Sequence, residues 1–245
     1  ALHQKLEHVI DRERIDFAIV NIENAAGGFG VTEPIMEELS ELPINAYTSG
    51  NHIWDKKDFV DNYDRYPHVV RPANYPAGNP GPGKVIRQTA GGVNVAVLQL
   101  MGNVFMPPID NPFYCADREL KEIGDQAKVI IVDIHGEATS EKQAMGRYLD
   151  GRVSAVLGTH THVPTADERI LPNGTAYQTD VGMTGAYDSV IGFRPEEALH
   201  RFLMNTPRKL EVAKRDIRLS GAMVEVDEST GKASRIVRIR EDLGE

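Results

Sequence analysis

Short apolar runs of strand length recur along this chain, alternating with segments of helical spacing, and nearly every run ends in a polar or glycine-bearing loop. Residues 16–22, 44–49, 93–100, 129–134 and 153–157 read as buried strands. Residues 2–13, 34–42, 55–62, 117–127, 139–150 and 195–203 read as helices between or after them, and 175–179 as a further short element. Residues 71–83 are rich in Pro and Gly and read as a loop. Residues 219–226 and 233–239 read as a hairpin around the turn at 227–232. Strands alternating with helices, with extra strands at the end, predict a layered α/β fold. No repeat or change in composition marks a linker, so residues 1–245 are expected to form a single domain.

Charge narrows the function classes. The chain has 36 acidic and 27 Lys/Arg residues, a net charge of −9. A protein working along the phosphates of long nucleic acid wants a basic face, so no such partner is expected. An RNA-binding module is disfavoured further by the absence of a basic and aromatic platform. Small phosphorylated substrates stay open, because a metal ion supplies local positive charge. Cys115 is the single cysteine and cannot close an internal disulfide, so a reducing cytoplasm is the expected location. No apolar run approaches the roughly 18 residues that span a bilayer, so no membrane partner is expected.

Four separate apolar runs end in groups able to hold a metal: Glu23-Asn24, Asn51-His52, His135, and His160 with His162. In open α/β sheets the loops at the carboxyl ends of strands converge on the ligand crevice. A carboxylate, two amide oxygens and three or four imidazoles make a nitrogen and oxygen site suited to first-row transition metals. The set is too rich for one tetrahedral zinc and fits two ions sharing a bridging ligand, an arrangement suited to phosphoryl chemistry. Each residue taken alone has a blander reading. A strand-end His is commonly structural, a Glu there is commonly solvated or a helix cap, and Asn51 after Gly50 suits a turn. Their joint occurrence, each after an apolar run, disfavours the bland readings together. His3, His8, His68 and His200 lack this context and read as solvated or structural, and Trp54 as packing or a pocket wall.

With Gly50-Asn51-His52 and Gly158-Thr159-His160-Thr161-His162, the sequence resembles the calcineurin-like metallophosphoesterases. It is more closely similar to their bacterial YmdB-like branch, through IENAAGG (22–28), GNHIWDKK (50–57), VRPANYP (70–76), HGEATSEKQAMG (135–146) and GTHTHVPTADERILPNGTAYQTDVGMTG (158–185). The resemblance implies a layered α/β/β/α metallophosphoesterase sandwich. It also implies Glu23 as the bridging ligand, Asn24 and His162 on one metal, and Asn51, His135 and His160 on the other. His52 would be a proton donor and not a ligand, and iron or manganese the metal. Members of that family open with a strand ending in Gly-Asp, whose Asp ligates the first metal. This sequence starts at Ala1 in the helix that follows, so the expectation is a sandwich lacking its N-terminal first strand, with the first metal poorly held.

The expected activity is hydrolysis of small phosphodiesters, cyclic nucleotides such as 2′,3′-cyclic monophosphates above all. A metal-activated hydroxide would attack phosphorus in line and His52 would protonate the leaving oxygen. The alternative is a regulatory protein that binds a nucleotide in the same pocket with little or no turnover. A homo-oligomer is compatible with either reading.

Overall fold

The computed structural model describes residues 1–243; the last two residues of the expected 1–245 domain lie outside the described residues. In chain order, α1 (Leu2–Glu13) leads into β1 (Ile19–Asn21), α2 (Glu33–Ser40), β2 (Ala46–Thr48) and α3 (Lys57–Asp61). Then come β3 (Lys84–Gln88), β4 (Asn94–Met101), α4 (Pro112–Ile123), β5 (Val129–His135), α5 (Thr139–Leu149) and β6 (Ala155–Thr159). The chain continues through β7 (Arg169–Ile170), β8 (Ala176–Gln178), β9 (Gly185–Ala186), α6 (Pro195–Met204), β10 (Ile217–Val226) and β11 (Ala233–Asp242).

Six strands form one sheet in the order β3-β4-β5-β6-β8-β7, with β4, β5, β6 and β8 mutually parallel. Successive strand residues point to opposite faces, and the apolar residues of β4 divide accordingly. Ala96, Leu98 and Leu100 join Ile130, Val132 and Ile134 of β5 against Ala116 and Ile123 of α4 and Met145 and Leu149 of α5. Val95 and Val97 face the other way, toward Ala46 of β2 and Ile19 of β1. Further along that face, Ala155 and Ala176 pack against Ala233, Val224 and Ile236 of the β10–β11 ribbon.

The second β layer consists of the parallel β1–β2 pair and the antiparallel order β11-β10-β9. Outside it, α1 lays Leu6 and Val9 on Leu219, Met223 and Ile239. Beside α1, α2 and α3 bring Met36, Leu39 and Phe59 onto Ile22 and Tyr47. Helices therefore close both outer faces of two packed β layers, which is the expected α/β/β/α sandwich. Gln99 of β4 ties the layers at one point. Its Oε1 accepts from Ser49 N at 2.9 Å and from Ser49 Oγ at 3.1 Å, just past the end of β2.

Several boundaries differ from the sequence reading. The helix expected over 117–127 begins at Pro112, because the Asn111 side chain accepts from Phe113 N and Tyr114 N and Pro112 suits a first turn. β3 has no counterpart in the sequence reading; it is an edge strand, paired antiparallel with β4, in which Lys84, Arg87 and Gln88 mask Val85 and Ile86. The run 16–22 keeps only three residues in β1. Among the described residues, no helix is long and apolar enough to cross a membrane.

Candidate metal centre

The carboxyl ends of β1, β2, β5 and β6 open onto the same place. Past β1 stand Glu23 and Asn24, and past β2 stand Asn51 and His52. His135 is the last residue of β5, and His160 and His162 follow β6. Gly50 makes the convergence possible: a Cβ there would overlap both the His135 ring and the Glu23 carboxylate.

His135 Nε2 is the meeting point. It lies 3.1 Å from Glu23 Oε2, 3.1 Å from Asn51 Oδ1 and 3.0 Å from His160 Nδ1. One proton on that nitrogen cannot serve three acceptors. Moreover, His135 Nδ1 lies 3.0 Å from Thr159 Oγ1, whose hydroxyl is already donated to Asp133 Oδ1 at 2.6 Å. The threonine oxygen therefore accepts the Nδ1 proton, and Nε2 is left with its lone pair facing the other acceptors. His160 Nε2 lies 3.3 Å from Glu137 Oε2, which draws its proton there and leaves Nδ1 an acceptor as well; four acceptor atoms that face one another fit a cation between them. Glu23, His135 and His160 alone bring one ligand atom each within 4.8 Å of one another.

Protonation states agree with that. Burial alone would raise the Glu23 carboxyl, but positive charge placed on the facing imidazoles, His135 first with His160 and His52 behind it, outweighs burial and holds it down at about 2, the sense in which a cation at the His135 lone pair would act too. Burial, then His135, pushes His160 down to about 4. An ionised carboxylate and a neutral imidazole are what a metal requires of its ligands.

On the other side, His162 Nδ1 donates to Ile191 O at 2.8 Å, which leaves His162 Nε2 facing Asn24 Nδ2 at 3.0 Å. Asn24 Oδ1 is buried without a hydrogen-bond partner, as an amide oxygen reserved for a cation would be. His52 is placed differently. Its backbone N–H donates to Glu23 Oε1 at 3.2 Å, while its ring Nδ1 lies 2.7 Å from Asp55 Oδ2. The structure thus gathers Glu23, Asn51, His135 and His160 in one cluster and pairs Asn24 with His162. His52 stands beside the cluster with its ring turned to a carboxylate.

The sequence reading passes over the residues that hold this arrangement. Asp133, whose carboxyl burial raises, also accepts from Asn21 Nδ2 at 3.2 Å. Lys142 and Asp180 form a buried ion pair at 2.8 Å. Asp180 Oδ2 accepts from Thr161 N at 3.0 Å and Thr161 Oγ1 at 2.8 Å, and Lys142 Nζ donates to Thr159 O at 2.6 Å. His160 and His162, with φ of +99° and +67°, occupy backbone conformations that persist only where the surroundings over-determine them. The bonds to Thr159 and Thr161 provide that. A carboxylate inside the apolar run of β5 is the one available signal, since a buried charge needs a partner.

Known proteins place the chain. A protein of Bacillus subtilis (strain 168) described as 2′,3′-cyclic-nucleotide 2′-phosphodiesterase is 50% identical over 223 residues, which cover 91% of this chain and 84% of that one. The crystal structure of a hypothetical protein from Thermus thermophilus superposes with a TM-score of 0.91 at 41% identity, covering 98% of this chain and 92% of the other. That of a novel phosphatase from Mycoplasma pneumoniae superposes with a TM-score of 0.92 at 34% identity, covering 98% and 87%. Residues 1–239 match the family described as YmdB-like protein, and the chain belongs to that family.

Proposed function

We propose that this protein is a metal-dependent phosphodiesterase acting on small phosphodiesters, 2′,3′-cyclic nucleotides foremost. The carrying observation is the convergence of Glu23 Oε2, Asn51 Oδ1 and His160 Nδ1 on the His135 lone pair. The activity named for the B. subtilis relative supports the substrate class. Two cations, iron or manganese, would be held with Glu23 between them, Asn51, His135 and His160 on one and Asn24 and His162 on the other. What such a pair supplies is positive charge against the phosphate and an acidified water.

His52 is the proton donor. With Nδ1–H committed to Asp55, the imidazolium carries its transferable proton on Nε2 and delivers it to the oxygen leaving phosphorus. For His52→Ala the expected result is retained metal and a fall in kcat of about 10²- to 10⁴-fold, the usual worth of a general acid. The fall should be smaller on a p-nitrophenyl phosphodiester, whose leaving group needs no proton. Metal content measured alongside decides the role: loss of metal would make His52 a ligand.

Turnover of 2′,3′-cyclic AMP in the presence of manganese tests the whole reading. Product should form, stop after chelation and return when manganese is restored. Binding of the nucleotide without product under those conditions would make the protein a nucleotide sensor instead.

A further inference from the structure

Phe29 lies six residues after Glu23 on the same loop, yet 40% of its surface is exposed. Its ring meets that of His52 edge to face, with centroids 5.0 Å apart at 81°, and lies nearly parallel to Phe193 at 5.8 Å and 27°. Phe193 belongs to the loop that also carries Ile191, whose carbonyl fixes His162 and whose side chain is half exposed. Both loops are shaped for this pairing. Gly28, at a φ of +95°, leaves room for Phe193, whose Cζ would stand 2.9 Å from a Cβ placed there. Ile191 holds a φ of +48°, an outlier for a β-branched residue and of the kind that clusters at binding and catalytic sites. Other rings of the chain are more exposed, Phe105 at 87% among them; what sets Phe29 apart is its place, part-open beside the proton donor.

We propose that Phe29, backed by Phe193, is the stacking platform for the nucleobase of the substrate. The inference rests on the phosphodiesterase reading and on His52 as proton donor. A proton donor faces the oxygen that leaves phosphorus, and in a 2′,3′-cyclic nucleotide that oxygen belongs to the ribose. The ribose therefore lies on the His52 side of the phosphate, and the base beyond it, where Phe29 meets His52. A ring face suits that position, because every base presents a π face and stacking is tolerant of base identity. The side chains of Phe29, Phe193 and Ile191 offer no hydrogen-bonding group. The platform thus selects for a base over none and for purines, with their larger rings, over pyrimidines.

The test compares 2′,3′-cyclic AMP with the 2′,3′-cyclic phosphate of methyl riboside, which carries no base. The readout is the ratio of kcat/KM values for the two substrates in wild type, Phe29→Ala and Phe29→Tyr. Phe29→Ala should lower the ratio about tenfold, chiefly through KM for the nucleotide, in line with what one stacked base is worth. Phe29→Tyr, which keeps a ring, should restore it. An unchanged ratio in Phe29→Ala, whether both activities fall together or neither moves, would overturn the platform and leave Phe29 as a prop for His52. Wild-type inertness toward both substrates would overturn the phosphodiesterase reading itself, and the platform with it.

Discussion

Glu23→Gln is expected to abolish turnover while the fold persists. Glu23 is 2% exposed, and its two oxygens do different work: Oε2 faces His135 Nε2 at 3.1 Å and Oε1 accepts the His52 N–H at 3.2 Å. Glutamine keeps the shape and one acceptor, so the loops at the ends of β1 and β2 have no steric reason to move. The change removes the negative charge, and with it, on the proposed bridging role, the ability to serve two cations at once. Its place is then taken by an amide whose N–H groups repel a cation. Metal affinity should fall by more than the roughly 10- to 100-fold that loss of an outer hydrogen-bond partner costs a metal site. Turnover at fixed manganese should vanish with it, while circular dichroism stays native. Metal content by mass spectrometry, measured beside the rate, is the deciding pair. Wild-type turnover with metal content unchanged would remove Glu23 from the bridging position.

The residues of this cluster are legible in the sequence because each sits directly after an apolar run, in a loop too short to carry it far from the strand's carboxyl end. Topology then does the rest: β5 and β6 are parallel neighbours, so His135 and the residues after Thr159 must be adjacent. The supporting residues are not legible, for an equally physical reason. Lys142 lies in a helix whose pattern reads as an ordinary amphipathic one, and Asp180 follows a three-residue strand. Only the packing of α5 over the β6–β8 junction brings the two together. Phe29 reads as one more loop aromatic until its angle to His52 is known. Trp54 packs, half-buried, on the cluster around Ile22 and Tyr47: its indole meets Tyr75 at 4.6 Å, with Nε1 donating to Pro80 O at 3.3 Å. Strand β3 is hidden by polar residues at an edge, and the start of α4 by an Asn-Pro pair that reads equally well as a turn.

Lys142→Met is expected to be the most destabilising of these single changes. Lys142 and Asp180 are both at most 1% exposed, and Met matches the length of the lysine stem without its charge. Asp180 Oδ2 would keep Thr161 N and Oγ1, and Oδ1 would keep Gly182 N at 2.9 Å, but no cation would remain near a carboxylate shut away from water. Breaking a buried pair from one side costs about 3–5 kcal/mol. For a chain of this size that is a drop in Tm of roughly 10 °C. Thr159 O would also lose the shorter of its two donors and keep only Gly136 N at 3.4 Å, at the strand end that leads into the His160–His162 turn. The double variant Lys142→Met/Asp180→Asn separates the stranded charge from the other bonds of Asp180. Removing both charges leaves none stranded, so its urea midpoint should recover part of the loss despite carrying one more substitution. Its metal affinity should nonetheless stay low, because an asparagine accepts from Thr161 without the charge that tightens both bonds. A double variant less stable than Lys142→Met alone would show that the Asp180 carboxylate's bonds to Thr161 and Gly182, and not its pairing with Lys142, hold the turn.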